Sequence, residues 1–177
     1  MKPEYLIYKH VYTQEQCRDL ARIAEETQNT RAVDRSPEWK KVKTTCADIY
    51  NFEGKLNRFF ALTNMTNRQH WGYDCYEPGE VYNMINLNTY EQGDCYDWHR
   101  DREDSASQCD IKMTTILNVS SEPYQGGELE IWGVDLNEPL MPGDLIVFSS
   151  YLSHRVTEVI AGRRQTLSYW TLGPRWK

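Results

Sequence analysis

The chain has 177 residues, of which 40% are hydrophobic and 26% charged, and its net charge is −6. This length predicts one domain with a core of its own, and the 22 aromatic residues (six Trp, twelve Tyr, four Phe) argue against disorder. A membrane span needs about 20 consecutive apolar residues, and no such run is present, so we expect no membrane partner. The acidic balance also makes nucleic acid an unfavourable partner.

Compartment is indicated by the N-terminus and the cysteines. The first residues, MKPEYLIYKH, contain neither a long apolar segment nor a small-residue cleavage site, so no signal peptide is predicted. The five cysteines are widely spaced and form no CxxC pair. We therefore expect reduced thiols in a cytoplasmic protein rather than a disulfide framework or a structural zinc site.

The first part of the chain carries helical patterns. Residues 6–12 are typical of a strand, and a capping-box pattern beginning at Thr13 predicts a helix over about 14–27. Apolar residues with helical spacing predict a second helix over about 54–66. The polar stretch 29–43 between them is predicted to be a loop, with a possible role as a lid.

The second part of the chain is typical of a β protein. Short strands separated by turns of Gly, Pro and Asp are predicted at 81–90, 111–120, 127–134, 145–150, 153–160 and 164–172. Gly126 and Gly127 are expected to form a turn with positive φ. This order predicts a mainly β (α+β) fold, a sandwich or jelly roll with the N-terminal helices packed on its outside.

The chemistry is indicated by a histidine and an aspartate with a two-residue spacing. His99 and Asp101 can face one point from a strand or its end, because side chains at i and i+2 lie on the same side. His154 opens a later strand, and Arg164 follows within a Gly-x-Arg motif. Two imidazoles and one carboxylate on one side of an iron(II) ion leave positions for a 2-oxo acid and for oxygen. An arginine can bind the distal carboxylate of that acid.

These motifs resemble those of the iron(II)- and 2-oxoglutarate-dependent dioxygenases, in particular the prolyl 4-hydroxylase-like branch. The matching positions are Tyr90, Gly93, Tyr96, His99 and Asp101; the turn PYQGGEL at 123–129; Pro142, Gly143 and Asp144 with Phe148, Ser149 and Ser150; His154 to Thr157; and Gly162, Arg163 and Arg164. The resemblance covers about residues 71–177. It implies a double-stranded β-helix catalytic core over 71–177, preceded by an N-terminal strand and supporting helices over 1–70, within a single domain of 1–177.

The resemblance also implies roles for individual residues. The iron(II) ligands and catalytic residues would be His99, Asp101 and His154. The 2-oxoglutarate-binding residues would be Arg164, Tyr90 and Thr114, and the substrate-binding residues would be Tyr96, Trp98 and Trp170. Two alternatives remain open on a one-residue shift: Thr115 in place of Thr114, and Arg163 in place of Arg164.

The implied reaction hydroxylates an unactivated C–H bond with iron(II), 2-oxoglutarate and dioxygen, and releases succinate and carbon dioxide. The branch suggests a prolyl residue of a peptide or protein as the substrate; a free amino acid, another peptidyl residue, another small molecule or a nucleobase would use the same ligands. Two other functions are open: a cupin-type metal dioxygenase or isomerase without the co-substrate, and a non-enzymatic β-sandwich binding module. The loop 100–110 is a second candidate lid, and the oligomeric state is open.

Overall fold

The computed structural model describes residues 3–33, 39–101 and 108–176, without the side chains of 28–33. The helices are α1 (Gln14–Glu26) and α2 (Asn57–Thr66), with a 3-10 turn at Ile49–Phe52 and a π-helical turn at Asn67–Trp71. The strands are β1 (Tyr5–Tyr8), β2 (Gln28–Val33), β3 (Lys40–Lys41), β4 (Lys43–Asp48), β5 (Met84–Tyr90), β6 (Cys95–His99), β7 (Cys109–Asn118), β8 (Tyr124–Gly126), β9 (Leu129–Ile131), β10 (Leu145–Ser149), β11 (His154–Val156), β12 (Val159–Gly162) and β13 (Arg164–Pro174). In these described parts of the chain, neither helix is long and apolar enough to cross a membrane.

The strands form two main antiparallel sheets. The major sheet has the order β1-β10-β7-β13-β5-β4-β2, and the minor sheet has the order β3-β6-β11-β9. A third, two-stranded sheet consists of β12 and β8. The predicted jelly-roll architecture is confirmed, and its order of strands arises from long crossovers such as that from β7 to β10.

The two faces of the major sheet differ in composition because its side chains alternate along each strand. Odd-numbered apolar residues form a core on one face; they include Ile85, Leu87, Met113, Leu117, Leu145, Val147, Leu167 and Tyr169. Even-numbered residues point to the opposite face, toward the minor sheet. We call these the helix face and the cavity face.

Both helices cover the helix face, as the sequence predicts. Helix α1 buries Cys17, Leu20 and Ala24 in that core, and α2 buries Phe59. The predicted capping box begins α1: the Thr13 hydroxyl accepts from the N–H of Gln16, whose side chain accepts from the N–H of Thr13.

The loop predicted at 29–43 is wrong over most of its described length. Strand β2 pairs with β4, and β3 pairs with the minor-sheet strand β6. The sequence pattern does not predict these strands because they are polar. Cross-strand pairing rather than hydrophobicity specifies them. The proposed lids include 34–38 and 102–107, which lie outside the described residues.

Other predicted boundaries also need correction. The strand predicted at 81–90 begins at Met84, and the strand predicted at 127–134 is limited to Leu129–Ile131. Strand β1 ends at Tyr8 rather than at residue 12, because His10 adopts a positive φ of 53° and its N–H donates to Asp144. The strand predicted at 153–160 is two strands, β11 and β12, which pair with different partners. Helix α2 begins at Asn57 rather than near 54.

Residues 40–48, here named the crossing segment, connect the two sheets. Lys40 pairs with Tyr96 in the minor sheet, whereas Thr44 pairs with Asn88 in the major sheet. Val42 lies at the crossing and is buried. The segment therefore spans the gap between the sheets and forms one side wall of the space enclosed by them.

Candidate active site

A cavity of about 290 Å³ lies between the cavity face of the major sheet and the minor sheet. Its lining includes eight of the nine residues predicted to act at the site: His99, Asp101, His154, Arg164, Tyr90, Thr114, Tyr96 and Trp170. The sheets bring these residues together from distant parts of the chain.

His99, Asp101 and His154 form a compact group of donor atoms at one end of the cavity. His99 ends β6 and His154 begins β11, and the two residues are directly paired in the minor sheet. Nε2 of His99 lies 3.9 Å from Oδ1 of Asp101, and Nε2 of His154 lies 3.6 Å from Oδ2. The three ligand atoms lie within 4.8 Å of one another.

The backbone orients both imidazole rings. Nδ1 of His99 is 2.8 Å from the carbonyl oxygen of Asp97, and Nδ1 of His154 is 3.2 Å from that of Leu152. A ring that donates Nδ1–H to a carbonyl presents the lone pair of Nε2, which is the form that ligates a metal. This donor set, two imidazoles and one carboxylate with open positions, suits iron(II).

Burial also favours the neutral form of His99. Desolvation, reinforced by the neighbouring His154, lowers the pKa of His99 to about 4. At neutral pH its imidazole is therefore uncharged and available to a metal.

Thr114 contacts the carboxylate of this group. Its hydroxyl donates to Oδ2 of Asp101 at 2.6 Å, so it orients the carboxylate. The hydroxyl of Thr115 lies on the helix face, 2.9 Å from that of Thr63. The structure thus places Thr114, and not Thr115, in the cavity, with a contact to Asp101 that the sequence did not predict.

Arg164 and Tyr90 are paired residues of β13 and β5 and are both buried in the cavity lining. The guanidinium carbon lies 5.2 Å from the centre of the Tyr90 ring, and Nη1 is buried without a hydrogen-bond partner in the part of the chain that the structure describes. Burial raises the pKa of the Tyr90 phenol, so it remains a neutral O–H. An unsatisfied, buried guanidinium N–H indicates a place for an anion.

Arg163 points elsewhere. Its Nη2 forms an exposed ion pair with Glu25 of α1 at 2.9 Å. Of the two alternatives left open by the sequence, the structure places Arg164 in the cavity.

Two of the three predicted substrate-binding residues line the cavity, and the third does not. The Tyr96 ring stacks on His99, with 3.6 Å between ring centres and 6° between planes, and Trp170 lines the cavity beside Thr114. Trp98 is not among the lining residues; its ring packs against Trp132 with ring centres 5.2 Å apart. The structure therefore does not bring Trp98 together with the other eight.

The sequence reasoning missed the side wall of the cavity. Its residues come from the crossing segment and the cavity faces of β5 and β13: Lys40, Thr44, Cys46, Asn86, Asn88, Thr166 and Ser168. Hydrogen bonds connect part of this wall: Thr44 donates to Asn88 at 2.9 Å, and Asn88 donates to Ser168 at 3.1 Å. The alternation of polar residues at 86, 88 and 90 was the available signal.

Comparisons with known proteins agree on one family. A family model described as the 2OG-Fe(II) oxygenase superfamily matches residues 85–172, about half of the chain. A PKHD-type hydroxylase of Shewanella baltica is 31% identical over 91 residues, which are 48% of this chain and 40% of the relative. The chain thus spans about two fifths of the length of the curated relatives that it matches.

Solved structures share the fold over almost the whole chain. A prolyl-4-hydroxylase of Pseudomonas putida matches with a TM-score of 0.71 and 19% identity, over 97% of this chain and 94% of that one. A viral collagen prolyl hydroxylase from Paramecium Bursaria Chlorella virus-1, in a 2OG complex, matches with a TM-score of 0.72 and 16% identity, over 97% of both chains. At these identities the likeness concerns the fold.

Proposed function

Because the chain belongs to the 2OG-Fe(II) oxygenase superfamily, we propose that it hydroxylates an unactivated C–H bond. The products besides the alcohol are succinate and carbon dioxide. The observation that carries this proposal is one cavity containing both the His99–Asp101–His154 group and the unpartnered Nη1 of Arg164.

The residues present fit the cofactor and the co-substrate. His99, Asp101 and His154 would hold iron(II), and Arg164 would bind the distal carboxylate of 2-oxoglutarate, assisted by the Tyr90 hydroxyl. When bound, iron and 2-oxoglutarate activate dioxygen, one atom of which enters the C–H bond while the other enters succinate.

The protein positions and shields the reacting groups. The carbonyls of Asp97 and Leu152 fix both imidazoles, and Thr114 fixes the carboxylate of Asp101. Arg164 would set the direction in which a dicarboxylate lies, because its side chain is buried in the cavity lining. Leu129, Val156 and Ile116 supply the apolar part of the lining, which limits the access of water.

A prolyl residue of a peptide or protein is our proposed substrate. Two structural neighbours are named as prolyl hydroxylases, and a third is named as a prolyl hydroxylase in complex with a peptide fragment of hypoxia inducible factor. In this chain, Tyr96 and Trp170 contribute aromatic surface to the cavity lining against which a pyrrolidine ring can pack. A cytoplasmic location stays a prediction from sequence.

The test is a visible absorption spectrum without oxygen. Adding iron(II) and 2-oxoglutarate to the purified protein should produce the charge-transfer band of the chelate, and subsequent oxygen should yield succinate. His99→Ala should remove the band, whereas His70→Ala, a change outside the cavity, should leave it intact.

Other outcomes distinguish the alternative functions. Tightly bound iron without a band or succinate would support a metal enzyme that does not use the co-substrate. A protein that binds neither iron nor 2-oxoglutarate would contradict the proposal and leave a β-sandwich binding module.

A further inference from the structure

Lys40 is a cation in the cavity wall that has no role in the chemistry described above. Its side chain is half-buried, and Nζ lies 4.9 Å from the centre of the Tyr96 ring, which itself stacks on His99. Among the described residues, no carboxylate lies within 4.0 Å of this ammonium group. Its attraction to Asp101 acts over a longer distance.

The charges in the cavity do not balance when Lys40 is included. The described lining contains two cations, Lys40 and Arg164, and one carboxylate, Asp101. Iron(II) and the two carboxylates of 2-oxoglutarate cancel each other, and Arg164 compensates Asp101. Within the described lining, Lys40 then remains as one positive charge without a counter-charge in a partly desolvated place, an arrangement that costs free energy unless an anion joins it.

Lys40 lies outside the part of the chain that the superfamily model matches. The proposed ligands and Arg164 all lie within residues 85–172, the part that the superfamily model matches. Lys40 lies outside this part, on the crossing segment, and faces the cavity with Thr44 and Cys46. The crossing segment is therefore the part of the wall that can suit the substrate of this particular chain.

We propose that Lys40 binds a carboxylate that the substrate carries close to the carbon to be hydroxylated. This inference rests on the proposed function and specifies the substrate class. The carboxylate has two possible sources with the same chemistry: a free terminal carboxylate on the reacting residue, or an acidic side chain next to it. Lys40 is a specificity-determining residue and takes no part in proton or electron transfer.

The experiment measures binding to the complete but non-reacting complex. Protein, iron(II) and 2-oxoglutarate are combined without oxygen, and formation of the absorption band is checked first. Calorimetry then compares two matched pairs of probes: N-acetyl-L-proline with N-acetyl-L-prolinamide, and N-acetyl-Asp-Pro-amide with N-acetyl-Asn-Pro-amide. In each pair the two probes have similar shape and differ in one negative charge.

The expected result is that the wild-type protein prefers the anionic probe of one pair by about tenfold or more, since charge-assisted hydrogen bonds are the stronger ones. The pair that shows the preference identifies the source of the carboxylate. Lys40→Met should abolish the preference while retaining the band and the affinity for 2-oxoglutarate. Lys41→Met removes an exposed neighbouring charge and should change neither the preference nor the affinity for 2-oxoglutarate.

Three results would overturn the inference while leaving the proposed function intact. The first is a wild-type protein that forms the band and does not discriminate within either pair, whether it binds the probes or not. The second is a Lys40→Met protein that keeps the preference. The third is a Lys40→Met protein that loses affinity for 2-oxoglutarate, which would assign Lys40 to the co-substrate. Absence of the band in the wild-type protein would instead contradict the proposed function itself.

Discussion

The helix face and the cavity face of the major sheet belong to the same strands and are opposite in character. On the helix face, Leu117 and Leu167 pack beneath α1 and α2. One residue away along the same strands, Ile116 and Ser168 line the cavity. The two-residue period of a strand thus separates the residues that stabilise the fold from those proposed to bind ligands.

This separation means that substitutions on the two faces should have separable effects. A change on the helix face should lower the stability of the protein without altering the ligand affinities of the folded molecules. A change on the cavity face should alter the ligand affinities and leave the stability of the protein unchanged. Four predictions follow from this comparison, in decreasing order of the expected free-energy change.

The largest effect is expected on the helix face. Phe59→Ala should lower the free energy of unfolding by about 3–5 kcal/mol, because Phe59 is fully buried and its loss leaves a void. Urea denaturation measures this change. Met65→Ala, on the same helix but partly exposed, should have a much smaller effect. A folded Phe59→Ala protein that had lost its affinity for iron(II) would show that the two faces are not independent.

The next largest effect is expected at Arg164, in the lining of the cavity. Arg164→Met should weaken 2-oxoglutarate binding about 100-fold, because truncation of one partner of a buried charge pair costs about 2–5 kcal/mol. Titration of the anaerobic absorption band measures the affinity. Arg163→Met should leave the affinity unchanged, since that side chain pairs with Glu25 on the surface. Equal losses in both variants would contradict the placement of Arg164.

A smaller effect per pH unit is expected from pH in the metal-free protein. Since the pKa of His99 is lowered from 6.5 to about 4, the unfolded chain binds more protons than the folded protein between these values. The free energy of unfolding should therefore fall as the pH is lowered from 6.5 through 4, by at most about 1.4 kcal/mol per pH unit from this group. Urea melts at several pH values should show a shallower dependence for His99→Gln. An unchanged dependence would refute this origin.

The smallest effects are expected for two adjacent threonines that lie on opposite faces of the major sheet. Thr114→Val removes the hydrogen bond to Asp101 and should weaken iron(II) binding about tenfold, the lower end of the range for residues that orient metal ligands. Thr115→Val removes the contact with Thr63 and should cost about 1 kcal/mol of stability without affecting iron binding. If Thr115→Val weakened iron binding and Thr114→Val did not, the assignment of these two residues to their faces would be wrong.

The sequence predicted the features that depend on local pattern. The capping box at Thr13 located α1, and apolar runs located β7, β10 and β13. Short motifs likewise indicated His99, Asp101 and His154, which the structure brings together, because an i, i+2 pair and a histidine beside a strand are visible without knowledge of the fold.

The features that depend on long-range pairing could not be predicted. The crossing segment, KKVKTTCAD over 40–48, has too few apolar residues to resemble a strand, so the sequence pattern predicts a loop at Lys40. Its place beside Tyr96 arises only from pairing of β3 with a distant strand. The two-residue period of a strand alone predicts that Trp98 and the adjacent His99 point to opposite sides of β6. Tyr96 and His99 share a side only because the ladder between β6 and β11 has an irregular register.

The stack of Tyr96 on His99 has a consequence for spectroscopy. With 3.6 Å between the ring centres and nearly parallel planes, the imidazole lies in the shielding region above the phenol ring. The ring current of Tyr96 should therefore move the carbon-bound protons of His99 upfield in the NMR spectrum of the metal-free protein. Tyr96→Leu should return these resonances toward their usual positions, so a single pair of signals reports whether the stack exists in solution.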